Sequence, residues 1–410
     1  MRASWRSRTV GMSLAVTAWL ALGGAVPTPA AAQISDNKIR IGILGDMSGP
    51  NADAHGPGDV VAARMAVADF GGSVRGAPVE VLAGNLLGGP DIGVGIARRW
   101  FDEGVDAIFS LGNSAVAIAV QGMAADRNRI TIATSAGTDV LTNKACTAVS
   151  AHWTFDTYAL PVALANGILA DGGKDWFFLT IDYAFGHALE AQAAKVVQAG
   201  GGRVMGNVLH PQGTSDFSGN LTQARSSGAN VLGLATSGAP LTSALKQFQE
   251  FGLARTMRPA ALLIDINDIH ALGLDETQGL LWVTAFYWDQ DEQTRAFAQR
   301  FFKLHRAMPT MFQASVYSAV MHYLRAIDAA GTDEARAVMT KMKATPIEDF
   351  MTHGARVRED GRVIRPLYLM QVKSPAESKG EWDVAKVVGT VPGEKAFRPL
   401  ADSECPLVKR

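Results

Sequence analysis

Between residues 38 and 283, short apolar strands alternate with helical segments in two successive series. Val61, Met65 and Ala68, for example, form an apolar stripe at helical spacing. Strands are predicted at 38–44, 79–83, 105–111 and 130–134, and then at 176–181, 204–209, 231–235, 260–264 and 280–283. Strands that alternate with helices form parallel sheets covered on both faces. Two such series predict an α/β fold with two doubly wound lobes. A single barrel is the alternative, since eight strand–helix units could also close.

The last third of the chain changes character. Helices are predicted at 291–306, 313–330 and 333–343, and strands at 363–372 and 385–390, which should pair as a hairpin or lie at a sheet edge. The tail 392–410 is predicted to be irregular, because it contains Pro392, Gly393, Pro399 and Pro406.

The N-terminus has the layout of a secretory signal peptide. Three arginines precede an uncharged apolar run from Val10 to Val26, and a stretch of small residues ends at Ala32. The alternative is a membrane anchor, but Gly23 and Gly24 interrupt the run, which is shorter than a comfortable span of about 20 residues. We therefore predict that residues 1–32 are a cleaved signal peptide and that Gln33 is the first mature residue.

Charge and cysteine content narrow the possible partners. The formal net charge is −1, and no block of lysine or arginine occurs, which argues against nucleic acid as a partner. Cys146 and Cys405 are the only cysteines. In an oxidising compartment they could form a disulfide that ties the tail to the middle of the chain. Two distant free thiols are the alternative, since the sequence does not show whether the Cα atoms approach.

Motifs for cofactors, metals and catalysis are absent from the sequence. The loop Gly45–Pro50 is not a G-x-G-x-x-G fingerprint, and neither a phosphate loop nor H-E-x-x-H nor G-x-S-x-G occurs. We therefore predict no cofactor, no metal and no enzymatic activity. The alternative is a secreted α/β hydrolase or transferase that uses Asp182, His187 or Asp265, although their spacing supplies no nucleophile with a base in reach.

Three strand-to-helix loops of the first series are rich in small polar residues. They are 45–56, 111–115 and 134–139, and they include Ser48, Asn113, Ser114 and Thr138. Ligands bind outside the carboxyl ends of strands in open α/β sheets, where backbone N–H groups at helix N-termini favour an anion. The loops therefore predict a site for an anion such as a carboxylate. The alternative is that these side chains only cap their helices.

The same segments resemble type I periplasmic binding proteins, and more narrowly the leucine/isoleucine/valine-binding family of ABC transporter receptors. The resemblance is carried by Lys38–Pro50, by the loops 112–115 and 134–138, and by Asp182–Gly186 and Thr214–Phe217. It implies two lobes joined by three crossovers, with the ligand cleft between them. The implied ranges are 36–154 plus 288–346 for the first lobe, and 155–287 plus 347–391 for the second.

The resemblance also implies a set of ligand-binding residues. The first lobe would grip a carboxylate through Ser48, Asn113 or Ser114, the Ala136 backbone and the Thr138 hydroxyl. The second lobe would close over the other end of the ligand with Tyr183, Phe185, Ser237 and Asp265.

Two positions depart from the pattern of amino-acid-binding members. His55, which is also predicted to bind the ligand, and Phe185 stand where those members tend to have a tyrosine before a glycine, here Gly56 and Gly186. An amino acid also needs an acid for its ammonium group, and Asp265 could supply it or could merely cap the helix before Asn267. The ligand is therefore expected to be a branched-chain or related amino acid, or an aromatic or short organic acid without an amine.

The resemblance predicts a monomeric periplasmic receptor that closes about its hinge on a small carboxylate ligand and delivers it to the membrane permease of an ABC importer. A ligand-sensing ectodomain is the alternative, besides the hydrolase.

Overall fold

The computed structural model describes residues 1–5, 34–86, 89–170 and 172–409. Most of the predicted signal peptide, including its cleavage site, lies outside the described residues. Residues Gln33–Arg410 form one compact unit.

The strands and helices follow one another in close agreement with the predicted alternation. The strands are β1 (Ile39–Gly45), β2 (Ser73–Val74), β3 (Ala77–Asn85), β4 (Ala107–Ser110), β5 (Ile130–Ala133), β6 (Ser150–His152), β7 (Asp175–Ile181), β8 (Arg203–His210), β9 (Val231–Ala235), β10 (Arg258–Ala261), β11 (Leu281–Thr284), β12 (Ile347–Glu348), β13 (His353–Val357), β14 (Val363–Ile364), β15 (Leu367–Val372) and β16 (Ala385–Val391). The helices are α1 (Pro57–Phe70), α2 (Pro90–Asp102), α3 (Ser114–Asp126), α4 (Ala159–Ala170), α5 (Ala184–Ala199), α6 (Ser218–Ser226), α7 (Gly238–Glu250), α8 (Ile266–Leu272), α9 (Leu274–Thr277), α10 (Glu292–His305), α11 (Met311–Ala330), α12 (Ala335–Ala344) and α13 (Gly393–Ala396).

Two separate sheets form the centres of two lobes. The first sheet has the order β2-β3-β1-β4-β5-β6, and its strands are parallel except for the short β2. The second sheet has the order β10-β9-β7-β8 and is entirely parallel. All residues of β4, β5 and β9 are buried, as expected for strands with helices on both faces. The two-lobed α/β prediction is therefore confirmed, and the single-barrel alternative is wrong.

The chain passes between the two sheets three times. It crosses after β6, after β11 and between β14 and β15. Between the second and third crossings α10 and α11 pack against α1 of the first lobe. After the third crossing β15 pairs with β11 and with the edge strand β16, both antiparallel.

The third crossing explains two differences from the sequence-based predictions. The predicted strand 363–372 is split into β14 and β15, because Pro366 has no N–H to donate and restricts the residue before it. The small sheet β12-β13-β14 adjoins the first sheet through a bridge between His152 and Arg362. Residues 347–364, which the sequence assigned to the second lobe, therefore make these contacts on the first-lobe side of the crossing.

The C-terminal tail is more ordered than predicted. It contains α13 and a 3-10 turn at Leu400–Asp402. Cys405 forms a disulfide with Cys146, with Cα atoms 5.6 Å apart. Beside it, the side chain of Asn143 accepts a hydrogen bond from the Glu404 N–H at 2.5 Å and donates one to the Glu404 carboxylate at 3.0 Å. These contacts dock the tail on the 3-10 turn Asp139–Thr142 that follows the predicted ligand loop 134–139.

Candidate functional site

The strand orders place one cleft between the two sheets. In the first sheet β3 and β4 lie on opposite sides of β1, so the strand order reverses at β1. In the second sheet β8 and β9 lie on opposite sides of β7 in the same way. Ligands of open α/β folds bind at such reversals of strand order, outside the carboxyl ends of the strands. The loops after β1 and β4 and those after β7 and β9 line one cavity.

The cavity is narrow and is closed by residues of both lobes. Its volume is about 40 Å³. It is lined by Asn51, Ala54, His55, Gly112, Ser114, Ser135, Ala136, Gly137, Phe155, Tyr183, Phe185, Ser237, Gly238, Leu263, Asp265, Asp268 and Phe312. An outer cleft of about 320 Å³ shares Asn51, Gly112, Tyr183 and Ser237 with it and is lined also by Asn113.

Seven of the ten predicted ligand-binding residues line the inner cavity, and Asn113 lines the outer cleft. Ser48 and Thr138 line neither space. Ser48 is exposed, and its hydroxyl accepts a hydrogen bond from the Asn85 side chain at 2.8 Å. Thr138 is buried, and its hydroxyl caps the 3-10 turn by accepting from the Val140 N–H at 3.4 Å. Thr138 thus makes the capping contact that was the alternative to ligand binding.

The first lobe presents the N-terminus of α3 to the cavity. The Asn113 side chain accepts hydrogen bonds from the N–H groups of Ala115 and Val116, at 3.0 and 3.1 Å, so it caps this helix. Immediately before it, Ser110 and Leu111 have φ angles of 75° and 60°, an uncommon backbone conformation for residues other than glycine. Such strained turns cluster at binding sites. Here the turn brings Ser114 and the positive end of the helix dipole to the cavity.

His55 and a group of aromatic rings form one wall. His55 is 6% exposed, and its ring lies edge-on to Phe312 with 5.7 Å between centroids. Burial lowers the pKa of His55 to about 4, so the ring is neutral at physiological pH, and its Nδ1 has no hydrogen-bond partner. A methyl group on Gly112 would lie 2.2 Å from the His55 ring, so only glycine fits there. Phe155 packs edge-on against the other side of this wall, 5.5 Å from Phe312.

The second lobe contributes two stacked rings and a serine. Tyr183 and Phe185 stack with centroids 5.9 Å apart and an angle of 27° between the rings. The Tyr183 side chain is hydrogen-bonded to Ser237. Burial raises the pKa of Tyr183 to about 12, so its hydroxyl stays a neutral donor and acceptor beside the cavity.

Two carboxylates at the start of α8 also line the cavity. Asp265 caps this helix by accepting from the Asn267 N–H at 2.8 Å, and Asp268 accepts from the Asp265 N–H at 3.2 Å. Burial raises the pKa of Asp265 to about 6 and that of Asp268 well above its usual range. Within the part of the chain that the structure describes, no lysine or arginine lines the cavity. A cationic group of a ligand would relieve the mutual repulsion of these acids.

Direct contacts hold the two lobes together at the cleft. The Asn267 side chain donates a hydrogen bond to the Asp53 carbonyl at 2.8 Å. Gly238, at the start of α7, has a φ of 62°, and a Cβ at this position would lie 2.7 Å from the side-chain oxygen of Asn51. The structure therefore represents a closed arrangement of the cleft.

Ten cavity residues were not among the predicted set, and they include Ser135, Phe155, Asp268 and Phe312. Ser135 could have been found, because it lies within the loop 134–139 that the sequence singled out. Asp268 follows Asp265 by one helical turn, a spacing that places both at the same helix end. Phe155 and Phe312 reach the cavity only through the crossovers, and no local sequence pattern marks them.

Comparisons with known proteins agree with this architecture. The family described as periplasmic binding protein matches residues 38–381. A periplasmic binding protein from Burkholderia mallei is 46% identical, with a TM-score of 0.89 over 91% of this chain and all of that one. A branched-chain amino acid ABC transporter periplasmic ligand-binding protein from Burkholderia xenovorans is 36% identical, with a TM-score of 0.82 over the same shares.

A curated relative is more distant. The leucine-, isoleucine-, valine-, threonine- and alanine-binding protein of Pseudomonas aeruginosa is 22% identical over 315 residues, which cover 76% of this chain and 83% of that protein. Among the described residues, no helix is both long and apolar enough to span a bilayer. The family match, the two-lobed fold and the cleft between the lobes together show that the chain belongs to the type I periplasmic binding proteins of ABC transporters, in the branched-chain amino acid receptor family.

Proposed function

We propose that the chain is the exported solute-binding component of an ABC importer and that its ligand is a small apolar amino acid, bound as a zwitterion. The observation that carries this proposal is the separation of polar groups across the cavity. Ser114, Ser135 and the α3 N-terminus can receive a carboxylate on one side, whereas Asp265 and Asp268 can receive an ammonium group on the other. The aromatic rings that line the same cavity fit an apolar side chain.

The relatives support this choice of ligand class. The Burkholderia xenovorans protein is described as a branched-chain amino acid receptor, and the Pseudomonas aeruginosa protein as one for leucine, isoleucine, valine, threonine and alanine. The mechanism follows from the two-lobed site. Ligand bound to the first lobe gains its contacts with Asp265, Tyr183 and Ser237 only on closure, so binding shifts the population towards the closed form. The closed form would then dock on the permease.

An aromatic acid without an amine is the second candidate. His55, Phe155, Phe185 and Phe312 give the cavity an aromatic lining, and two of them replace tyrosine hydroxyls expected in amino-acid-binding members. Against this candidate stands the acid pair, in which ionised Asp265 would repel an anion that carries no positive group.

A thermal-shift and calorimetric screen of residues 33–410 against L-leucine, L-valine, L-alanine, benzoate and butyrate distinguishes these ligands. A ligand that binds only the folded state raises Tm by mass action. We expect shifts with the amino acids, and loss of at least ~10-fold in affinity in Asp265→Asn, since a charge-assisted contact is removed. Benzoate should not bind the wild-type protein.

Asp216→Asn is the matched control, because Asp216 also lies at the N-terminus of a second-lobe helix, where it accepts from the Ser218 N–H at 3.0 Å, but it is outside the cavity. It should bind like the wild-type protein. Binding of benzoate that improves in Asp265→Asn would replace the amino acid with the aromatic acid. The absence of any shift would overturn the proposed carboxylate site.

A further inference from the structure

A buried carboxylate lies just beneath the first-lobe side of the cavity. Asp59, in the first turn of α1, is 0% exposed. Its Oδ2 accepts a hydrogen bond from the Ser110 hydroxyl at 2.6 Å, whereas its Oδ1 is buried and has no partner. A buried ionised carboxylate normally has several donors or a cation, because its desolvation is costly. Among the described residues Asp59 is held by the hydroxyl groups of Ser110 and Ser135 without a cation, so its charge has no structural partner.

Two hydroxyl groups, those of Ser110 and Ser135, join Asp59 to the cavity. The Ser110 hydroxyl lies 3.3 Å from the Ser135 hydroxyl, and either oxygen can be the donor. Ser135 lines the cavity beside Ala136 and Gly137. Ser110, the middle member of this group, is one of the two non-glycine residues in the left-handed turn before α3, so its backbone is strained. The three side chains thus connect a buried acid to the predicted position of the ligand carboxylate.

The direction of these hydrogen bonds depends on one proton. When Asp59 is ionised, Ser110 must donate to it and can only accept from Ser135, whose hydrogen then points away from the cavity. When Oδ2 carries a proton, Asp59 donates to Ser110, Ser110 donates to Ser135, and the Ser135 hydrogen is free to point at a ligand. The hydrogen bonds between these three side chains can therefore run in two directions. Only the direction set by protonated Asp59 presents a donor to the cavity.

We infer that Asp59 is a positioning residue for ligand binding: in the ligand-bound state it holds a proton on Oδ2, which orients Ser110 and Ser135 so that the Ser135 hydroxyl donates to the ligand carboxylate. Binding from the ionised state takes up this proton from solvent, and release returns it. The inference rests on the proposed carboxylate-binding function.

The surroundings of Asp59 suit this role. Burial raises its pKa to about 7, and the hydrogen bonds from Ser110 and Ser135 lower it again in part. Among the described residues no charged side chain of the elements packed around it, β1, β3, β4, α10 and α11, contributes to this shift. His55, in the loop before α1, is neutral because its own pKa is about 4. Across the cavity Asp265, with a pKa of about 6, titrates in the opposite sense, since its ionised form favours an ammonium group.

The test measures the affinity of residues 33–410 for L-leucine and for benzoate between pH 6 and pH 8.5 by calorimetry. We expect the affinity of the wild-type protein to fall about 10-fold as pH rises through this range, because the ionised form must first be protonated. Calorimetry at pH 7.5 in phosphate and in Tris should show net proton uptake. In Asp59→Asn the amide can donate permanently to Ser110, so the fall in affinity and the proton uptake should vanish, which leaves only the opposite, about 2-fold rise that ionisation of Asp265 produces for L-leucine.

Ser135→Ala provides a second variant that does not alter the buried acid. It should bind more weakly than the wild-type protein at pH 6 and lose the fall in affinity with rising pH. Wild-type affinity that is constant from pH 6 to 8.5, or a fall in affinity that persists in Asp59→Asn, overturns the role of Asp59. If neither probe binds at any pH, the proposed carboxylate-binding function fails and this inference fails with it, which is a distinct result from binding without pH dependence.

Discussion

At the scale of single residues, Arg362 shows how a buried charge is held at the first and third crossings. It is 1% exposed, and its Nη1 donates to the Phe155 carbonyl at 2.9 Å and lies 3.4 Å from the Asp156 carboxylate. Asp156 in turn accepts from the N–H groups of Tyr158 and Ala159 and so caps the start of α4. Each charge of this pair offsets part of the cost of burying the other.

Arg362→Met should therefore lower the free energy of unfolding by about 3–5 kcal/mol, because it leaves Asp156 charged and buried without its cation. Urea denaturation followed by circular dichroism measures this change. Lys38→Met is the control, since Lys38 pairs with Glu80 at 3.6 Å in an exposed position and should contribute less than about 1 kcal/mol. A loss below about 1 kcal/mol in Arg362→Met would contradict the assignment of this pair as a buried, coupled one.

The raised pKa of Asp59 predicts a second effect, on the free energy of unfolding, which does not depend on ligand. Its pKa is about 7 in the folded protein and lower, at the ordinary value of 3.8, in the unfolded chain. Between these two pH values the unfolded state therefore binds fewer protons than the folded state. Its contribution is therefore fully present below about pH 4 and is lost as pH rises to about 7, at about 1.4 kcal/mol for each unit of pKa difference. The free energy of unfolding should fall across this range in the wild-type protein relative to Asp59→Asn. Parallel pH profiles for the two proteins would refute the raised pKa.

At the scale of secondary structure elements, the sequence was informative where periodicity is local. The predicted strand 231–235 is observed with the same bounds, and the other core strands and helices differ by only a few residues. The split of strand 363–372 followed from Pro366, whose effect the apolar run concealed. The lining residues Phe155 and Phe312 escaped prediction because their position depends on the crossings and on the packing of α11 against α1, contacts between residues far apart in sequence.

The N-terminus of α7 is an element whose approach to the other lobe depends on glycine. Gly238→Ala should weaken L-leucine binding by about 1 kcal/mol or more, because it combines a φ of 62° with a Cβ 2.7 Å from the Asn51 side chain. Calorimetry measures the affinity. Gly122→Ala in α3 is the control, since that position has open space and lies within a helix, where alanine is favoured. Equal affinities in the two variants would show that closure tolerates a side chain at residue 238.

At the scale of the whole molecule, closure depends on contacts such as that of Asn267 with the Asp53 carbonyl. Asn267→Ala should reduce ligand affinity about 5-fold, since one hydrogen bond specific to the closed form is lost, at about 1 kcal/mol. Small-angle scattering with saturating ligand should still show a compact form. Asn207→Ala is the control, because Asn207 bonds to Glu190 within the second lobe at 2.8 Å. An equal loss in both variants would show that the effect does not come from closure.

The whole-molecule arrangement was predictable only in outline. Two series of strands and helices indicated two lobes, and the resemblance supplied the crossings. The place of the third crossing and the docking of the tail could not be predicted from local patterns. They depend on contacts between residues far apart in sequence, His152 with Arg362 and Asn143 with Glu404.

The packing of α11 against α1 has a consequence for the gene. The helices that pack together on the first lobe, α1 with α10 and α11, are encoded in two separate stretches. The whole second sheet is encoded between these stretches. No uninterrupted fragment of the reading frame can therefore specify the first lobe without the second. A ribosome must synthesise the chain past Ala330 before α1 meets its partner, so the part of the protein that is translated first is completed late.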